Sequence, residues 1–295
     1  MNHEIYLVSN EEGIFMDYLK SLTEVEYKDL CSSSNYIDYY VFSLHAMAIL
    51  NENTETLLSL ISQITSQDKF RKTLHSPIVY DQIESSLNTS LFNVLSSFYH
   101  FINYIETCFK KWFGKNSSET QFLMNKLSEY FDNNFVYRFF YKLRNYVTHC
   151  GIPINILFDG TDESGFIFTQ TWYFSSDLLD KYSGWGSVVE KDLKNLETIM
   201  IFPLIFQFDE MKNKMWNEIH NFLVQTFVDP ANRLNQLLGG IDNFNSNKKL
   251  SIISYDGVGT DLIYERLERG EKIQFKEKAI KTYILKLLLN SHGVK

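Results

Sequence analysis

Residues 80–112 contain neither proline nor glycine, and their apolar side chains recur at intervals of three and four: Leu87, Leu91, Val94, Leu95, Phe98, Ile102 and Ile105. That period draws one apolar stripe along a helix. Pro77 precedes the run and Gly114 follows it, the order in which these residues punctuate helices. Such a helix is about 50 Å long at 1.5 Å per residue and cannot bury its stripe alone. The rest of the chain must therefore supply elements that cover it.

Other segments meet that demand. Residues 36–50 and 54–64 read as two helices parted by the polar Asn51-Glu52-Asn53. A further helix is expected after Ser117-Ser118-Glu119, where hydroxyls offer N-caps. The next runs from Asn133-Asn134 to His149 and is stopped by Gly151 and Pro153. Residues 154–158 and 166–174, on either side of a polar glycine-containing segment, predict a β-hairpin with a long turn. Helical periodicity returns over 185–227, broken or kinked at Pro203. Short strands are expected at 4–8 and 250–255, and a last helix at 275–289. The expected fold is mainly α, a helical bundle with a small inserted β-hairpin near 154–174 and a short α/β C-terminal region. Along the chain this divides into a helical extension (1–76), a helical core (77–228) and the C-terminal region (229–295).

Composition narrows the function classes. Apolar residues at 44% against 22% charged support a large core, and an aromatic share of 16% assigns much of the packing to rings. A net charge of −8 argues against a broad coat for nucleic acid, while leaving room for a small basic site. The three cysteines, Cys31, Cys108 and Cys150, make no paired framework and fit a reducing compartment. The start, Met1-Asn2-His3-Glu4, is not that of a signal peptide, and the apolar stretch 199–208 is too short for a bilayer. A cytoplasmic location without a membrane partner is expected. No H-E-x-x-H, Cys-x-x-Cys or phosphate-binding Gly-x4-Gly-Lys pattern occurs, so neither metal nor cofactor is expected.

One helix concentrates polar chemistry. At about 100° per residue, Val136, Phe140, Leu143 and Val147 form a core face, and Arg138, Lys142, Asn145 and His149 gather opposite. Tyr137, Tyr141, Arg144 and Thr148 lie along one flank. Any amphipathic helix has a polar face, so the pattern alone is that of a solvated surface. The residue types add to it. His149 stands in the last turn, where unpaired carbonyls favour a protonated ring able to exchange a proton with a substrate oxygen. Asn145, four residues earlier, can hydrogen-bond a phosphate or orient the ring. Arg144 carries a planar charged fork suited to phosphorus oxyanions, but lies about 140° round from His149. It converges on that ring only by reaching across, or by facing a second copy of the helix.

The stretch Arg144-Asn145-Tyr146-Val147-Thr148-His149 fits the pattern R-x(4–6)-H with a polar residue after the arginine. It resembles the signature of the HEPN superfamily (higher eukaryotes and prokaryotes nucleotide-binding). The run from Leu143 to Pro153 is also similar to bacterial members that place a β-hairpin directly after the motif. The resemblance covers roughly residues 80–227. It implies a HEPN-like bundle acting as a metal-independent endoribonuclease on RNA, frequently a toxin or anti-phage effector. It also implies a homodimer whose two motifs form one composite site. Transferred residue by residue, His149 is the acid/base, Arg144 stabilises the transition state and Asn145 positions the phosphate. Arg138, Lys142 and Thr148 are weaker candidates for substrate binding. Some members carry a tyrosine two residues after the histidine as a site of nucleotide attachment. Gly151 stands there, so that regulation is not transferred.

A different reading stays open, a non-catalytic helical protein that binds nucleic acid, nucleotide or a regulatory protein partner through the same stripe. Tyr104 and Glu106 could support the site from the neighbouring helix, while His100 reads as structural. Residues 271–295 hold six lysines against two glutamates and could steer RNA.

Overall fold

The long glycine-free run is a helix in the computed structural model, which describes residues 2–9, 15–66, 77–151, 154, 158–161, 167–239, 249–255, 275–281 and 284–285. The helices are α1 (Glu24–Ser66), α2 (Pro77–Trp112), α3 (Ser118–Asn133), α4 (Phe135–Cys150), α5 (Ser175–Lys181), α6 (Ser187–Lys194) and α7 (Ile201–Leu237). The strands are β1 (Asn2–Ser9), β2 (Phe15–Leu22), β3 (Phe158–Thr161), β4 (Ile167–Gln170), β5 (Trp172–Phe174), β6 (Thr198–Met200), β7 (Lys249–Tyr255) and β8 (Phe275–Ile280). The fold is mainly helical with small antiparallel sheets. Among the described residues no helix is long and apolar enough to cross a membrane.

Contacts divide the chain into two units. The first comprises Ser43–Ile219 and is built on α2, whose seven stripe residues from Leu87 to Ile105 are all buried. Helices α3 and α4 pack on it and on each other, and α6 packs on α4. Rings fill the core as the composition requires. Phe98 meets Tyr137 and Phe208 edge-on at 5.3 and 5.0 Å, Phe140 stacks on Phe208 at 4.7 Å, and Phe139 stacks on the buried Trp185 at 5.9 Å. Local signals set the helix ends. Ser117 accepts from the Thr120 amide at 3.1 Å, Asn134 accepts from the Tyr137 amide at 3.0 Å, and Gly151 closes α4 at φ +105°.

The second unit comprises Met1–Phe42 and His220–Lys295. Its antiparallel sheet has the order β2-β1-β7-β8, with Ile5 opposite Ile252 and Leu250 opposite Ile280. Buried His3 ties three elements of it together. Its ring lies 2.8 Å from the Ser254 hydroxyl and 3.0 Å from the Glu24 carboxylate, stacked on Tyr27 at 3.5 Å.

The structure departs from the sequence reading in several places. Asn51-Glu52-Asn53 does not divide a helix. Asn53 and Thr54 bond back to the carbonyls of Ile49 and Leu50, Asn51 accepts from the buried Lys212 amine at 2.6 Å, and α1 continues to Ser66. Segment 1–76 opens on two strands rather than as a helical extension. The hairpin is β3 with β4 alone; β5 leaves it to pair with β6. Pro203 falls in the first turn of α7, where a missing N–H breaks no helical bond, so it does not kink the helix. The helix expected over 275–289 begins as β8, an edge strand paired with β7; apart from Lys281, Ile284 and Leu285, the remainder of that range lies outside the described residues. The contact division also differs from the three sequential segments, because β1 pairs with β7 across more than 240 positions.

Candidate functional site

Helix α4 carries every residue of the motif. Its buried side chains are Val136, Tyr137, Phe139, Phe140, Leu143 and Tyr146. The core face is thus wider than the spacing of four residues indicates, and Val147, assigned to it from sequence, is only half-buried.

Arg144 turns toward α2. Its guanidinium carbon lies 4.6 Å from the Tyr99 ring centre, one terminal nitrogen donates to Asn145 at 3.3 Å, and the buried Nε has no hydrogen-bond partner among the described residues. Tyr99 in turn meets Tyr141 at 5.3 Å. His149 is exposed at the other side of the helix, its ring nearly parallel to that of Tyr182 at 6.2 Å. Among the described residues no hydrogen bond or ring contact joins Arg144 to His149. One chain joins Arg144 to Asn145 by a hydrogen bond, while the His149 ring, one turn on from Asn145, packs beside Tyr182.

The weaker candidates are engaged otherwise. Arg138 donates from Nε to Asp192 at 2.6 Å and from a terminal nitrogen to the Phe131 and Asp132 carbonyls, so it closes the end of α3 and ties α4 to α6. Thr148 donates to the Arg144 carbonyl at 2.8 Å. Lys142 extends past Gly186, where an added Cβ would stand 3.8 Å from its Nζ. Of the supporting residues, Glu106 pairs with Lys110 one turn on, and Tyr104 stacks on an exposed His100 at 5.4 Å. Cys150 donates to the Lys181 carbonyl at 3.1 Å, and all three cysteines are free. In the C-terminal region Lys278 bonds the Cys31 carbonyl and Asn35, and Lys281 pairs with Asp38, so both are tied to α1.

Sequence reasoning missed a cleft of about 580 Å³ between the start of α2 and the end of α4. Asp81, Glu84, Ser85, Asn88, Thr89 and Phe92 line it on one side, Val147 and Gly151 on the other. Burial, with Asp81 beside it, holds the Glu84 carboxyl above its usual range. Asn88 is buried and spent on structure, donating to the Ile154 carbonyl at 2.6 Å and accepting from its amide at 2.8 Å. Asp81, Glu84, Ser85, Asn88, Thr89 and Phe92 recur at helical spacing, a signal masked in sequence by the stronger apolar stripe. Among the described residues no group of three or more His, Cys, Asp or Glu side chains is placed to hold a metal ion.

No family model, curated protein or solved structure matches this chain.

Proposed function

We propose that the chain is a metal-independent endoribonuclease of HEPN type, a toxin or anti-phage effector working in the cytoplasm as a homodimer. The observation that carries this reading is the split of the motif. Arg144, with an unpaired buried Nε, faces one side of α4, and His149 stands exposed on the other. Each chain then offers two half-sites, and a two-fold contact between copies of α4 completes both.

In such a site one His149 takes the proton of the ribose 2′-OH as that oxygen attacks phosphorus. The departing 5′-oxygen takes its proton from solvent water. The products are a 2′,3′-cyclic phosphate and a 5′-OH, and DNA, lacking the nucleophile, is not cut. Arg144 holds the charge that builds on the phosphoryl oxygens, and Asn145, already bonded to Arg144, positions them. The acidic net charge suits a small RNA footprint, or a regulatory protein that delivers RNA or restrains the enzyme.

The test is cleavage of mixed RNA in EDTA by the unmodified protein, His149→Ala and Arg144→Ala, with product ends mapped. Cyclic-phosphate ends made by the unmodified protein and lost in both variants are expected. Equal cleavage by all three, or RNA binding without cleavage, rejects the enzyme; the second result selects the non-catalytic binding protein.

A further inference from the structure

The cleft between α2 and α4 lies on the side of α4 to which Arg144 turns. Val147, on its wall, is three residues from Arg144 and therefore its neighbour along the helix, and Tyr99 continues the same seam of α2 beyond Phe92. Three features of the lining converge on one ligand class. Phe92 is 44% exposed, a large ring on the cleft lining that a ligand can cover. Asp81 and Glu84, adjacent on α2, supply carboxylate oxygens that only accept hydrogen bonds when ionised. Ser85 and Thr89 stand between the carboxylates and the ring with hydroxyls that both donate and accept. A volume of about 580 Å³ is ample for a nucleotide.

We propose that this cleft is a nucleobase pocket selective for guanine, with Phe92 stacking the base and Glu84, assisted by Asp81, accepting from its N1–H and N2–H. This rests on the ribonuclease reading for its biological meaning, though the pocket is testable without it. Guanine fits because its Watson–Crick edge sets two N–H donors side by side, matching the two oxygens of a carboxylate. Adenine and cytosine offer a single amino donor beside a ring acceptor, which a carboxylate repels. Unstacked bases in single-stranded RNA are bound in this manner, by an aromatic face and an edge reader. With the base seated, the attached phosphate extends along the seam toward the terminal nitrogens of the Arg144 fork. The enzyme then cuts single-stranded RNA beside guanosine.

The proposal is tested by titrating the full chain with 3′-GMP, 3′-AMP, 3′-CMP and 3′-UMP, followed by calorimetry, alongside cleavage-site mapping on RNA of mixed sequence. The expected result is 3′-GMP binding roughly tenfold more tightly than the others. Glu84→Gln and Phe92→Ala each weaken it roughly tenfold at unchanged helical content, and Arg144→Ala weakens all four without changing their order. Equal binding of the four nucleotides, or 3′-GMP affinity unaltered in both cleft variants, overturns the pocket. Tighter binding of agmatine than of 3′-GMP, lost in Glu84→Gln, also overturns it and assigns the cleft to a cationic side chain of a protein partner. The two readings separate cleanly. Cleavage without guanine preference rejects the pocket and keeps the nuclease, whereas Glu84-dependent 3′-GMP binding without cleavage keeps the pocket and rejects the nuclease.

Discussion

The Arg144 guanidinium lies over the Tyr99 ring at 4.6 Å, and this contact fixes the direction in which the motif faces. Contact with the ring face shields the guanidinium carbon, so an anion can be met only at the terminal nitrogens, one of which already donates to Asn145. His149, five residues on, turns instead to Tyr182.

Complementation between chains follows from that divergence. Neither Arg144→Ala nor His149→Ala protein cleaves RNA alone. Mixed in equal amounts and allowed to exchange, half the dimers hold one intact Arg144–His149 site, so about one quarter of the unmodified activity returns. No recovery after exchange means that each chain builds its own site.

Arg138 is expected to act on stability rather than on substrate. It and Asp192 are only 12% and 24% exposed and lie 2.6 Å apart. Arg138→Ala or Asp192→Asn lowers the unfolding free energy by about 2 kcal/mol, because each leaves a largely desolvated partner charge unpaired. Urea unfolding of both variants and of their combination checks this, and the double variant loses less than the sum of the two.

Asn88 clamps the backbone of Ile154 through two buried hydrogen bonds. Asn88→Ala removes both and costs about 2–3 kcal/mol, since the Ile154 amide and carbonyl stay buried without partners. Amide exchange at Ile154 rises well before global unfolding. Protection equal to that of the unmodified protein shows that other groups hold this segment.

Stability depends on pH through His220, which sits 2.7 Å from the Tyr40 hydroxyl. Burial holds the folded imidazole below its ordinary value of 6.5, and the same burial raises Tyr40. The unfolded chain therefore binds the proton first. The contribution is intact above the unfolded value and is lost as the pH falls through the folded one. Urea midpoints at about pH 7.5 and about pH 5.5 are expected to differ less in His220→Gln than in the unmodified protein.

Much of this was legible locally. The stripe of α2, the Ser117 and Asn134 caps and the Gly151 stop are signals carried by a few neighbouring residues, and all fall where the sequence places them. The residues 275–280 illustrate the opposite case. Phe-Lys-Glu-Lys-Ala-Ile satisfies a helical pattern, but its partner is β7, and pairing with that strand outweighs the weak intrinsic preference. Likewise β5 reads as the second arm of a hairpin until β6, some 25 residues later, takes it. At the site, Arg144, Asn145 and His149 could be chosen from their spacing and chemistry. Tyr99, Tyr182 and Asp192 could not, since none is near them in sequence.

The sequence by itself determined the helical class, the caps of the central helices and the angular separation of Arg144 from His149. Each of these depends on backbone geometry within a few turns. The tertiary structure alone decided that Arg138 closes an ion pair, that Arg144 lies on Tyr99, that the first strand joins the seventh, and that Glu84 and Phe92 share a cleft with Val147. Those outcomes depend on which distant surfaces are brought together, and packing sets that through the summed burial of many rings and aliphatic chains rather than through any local signal.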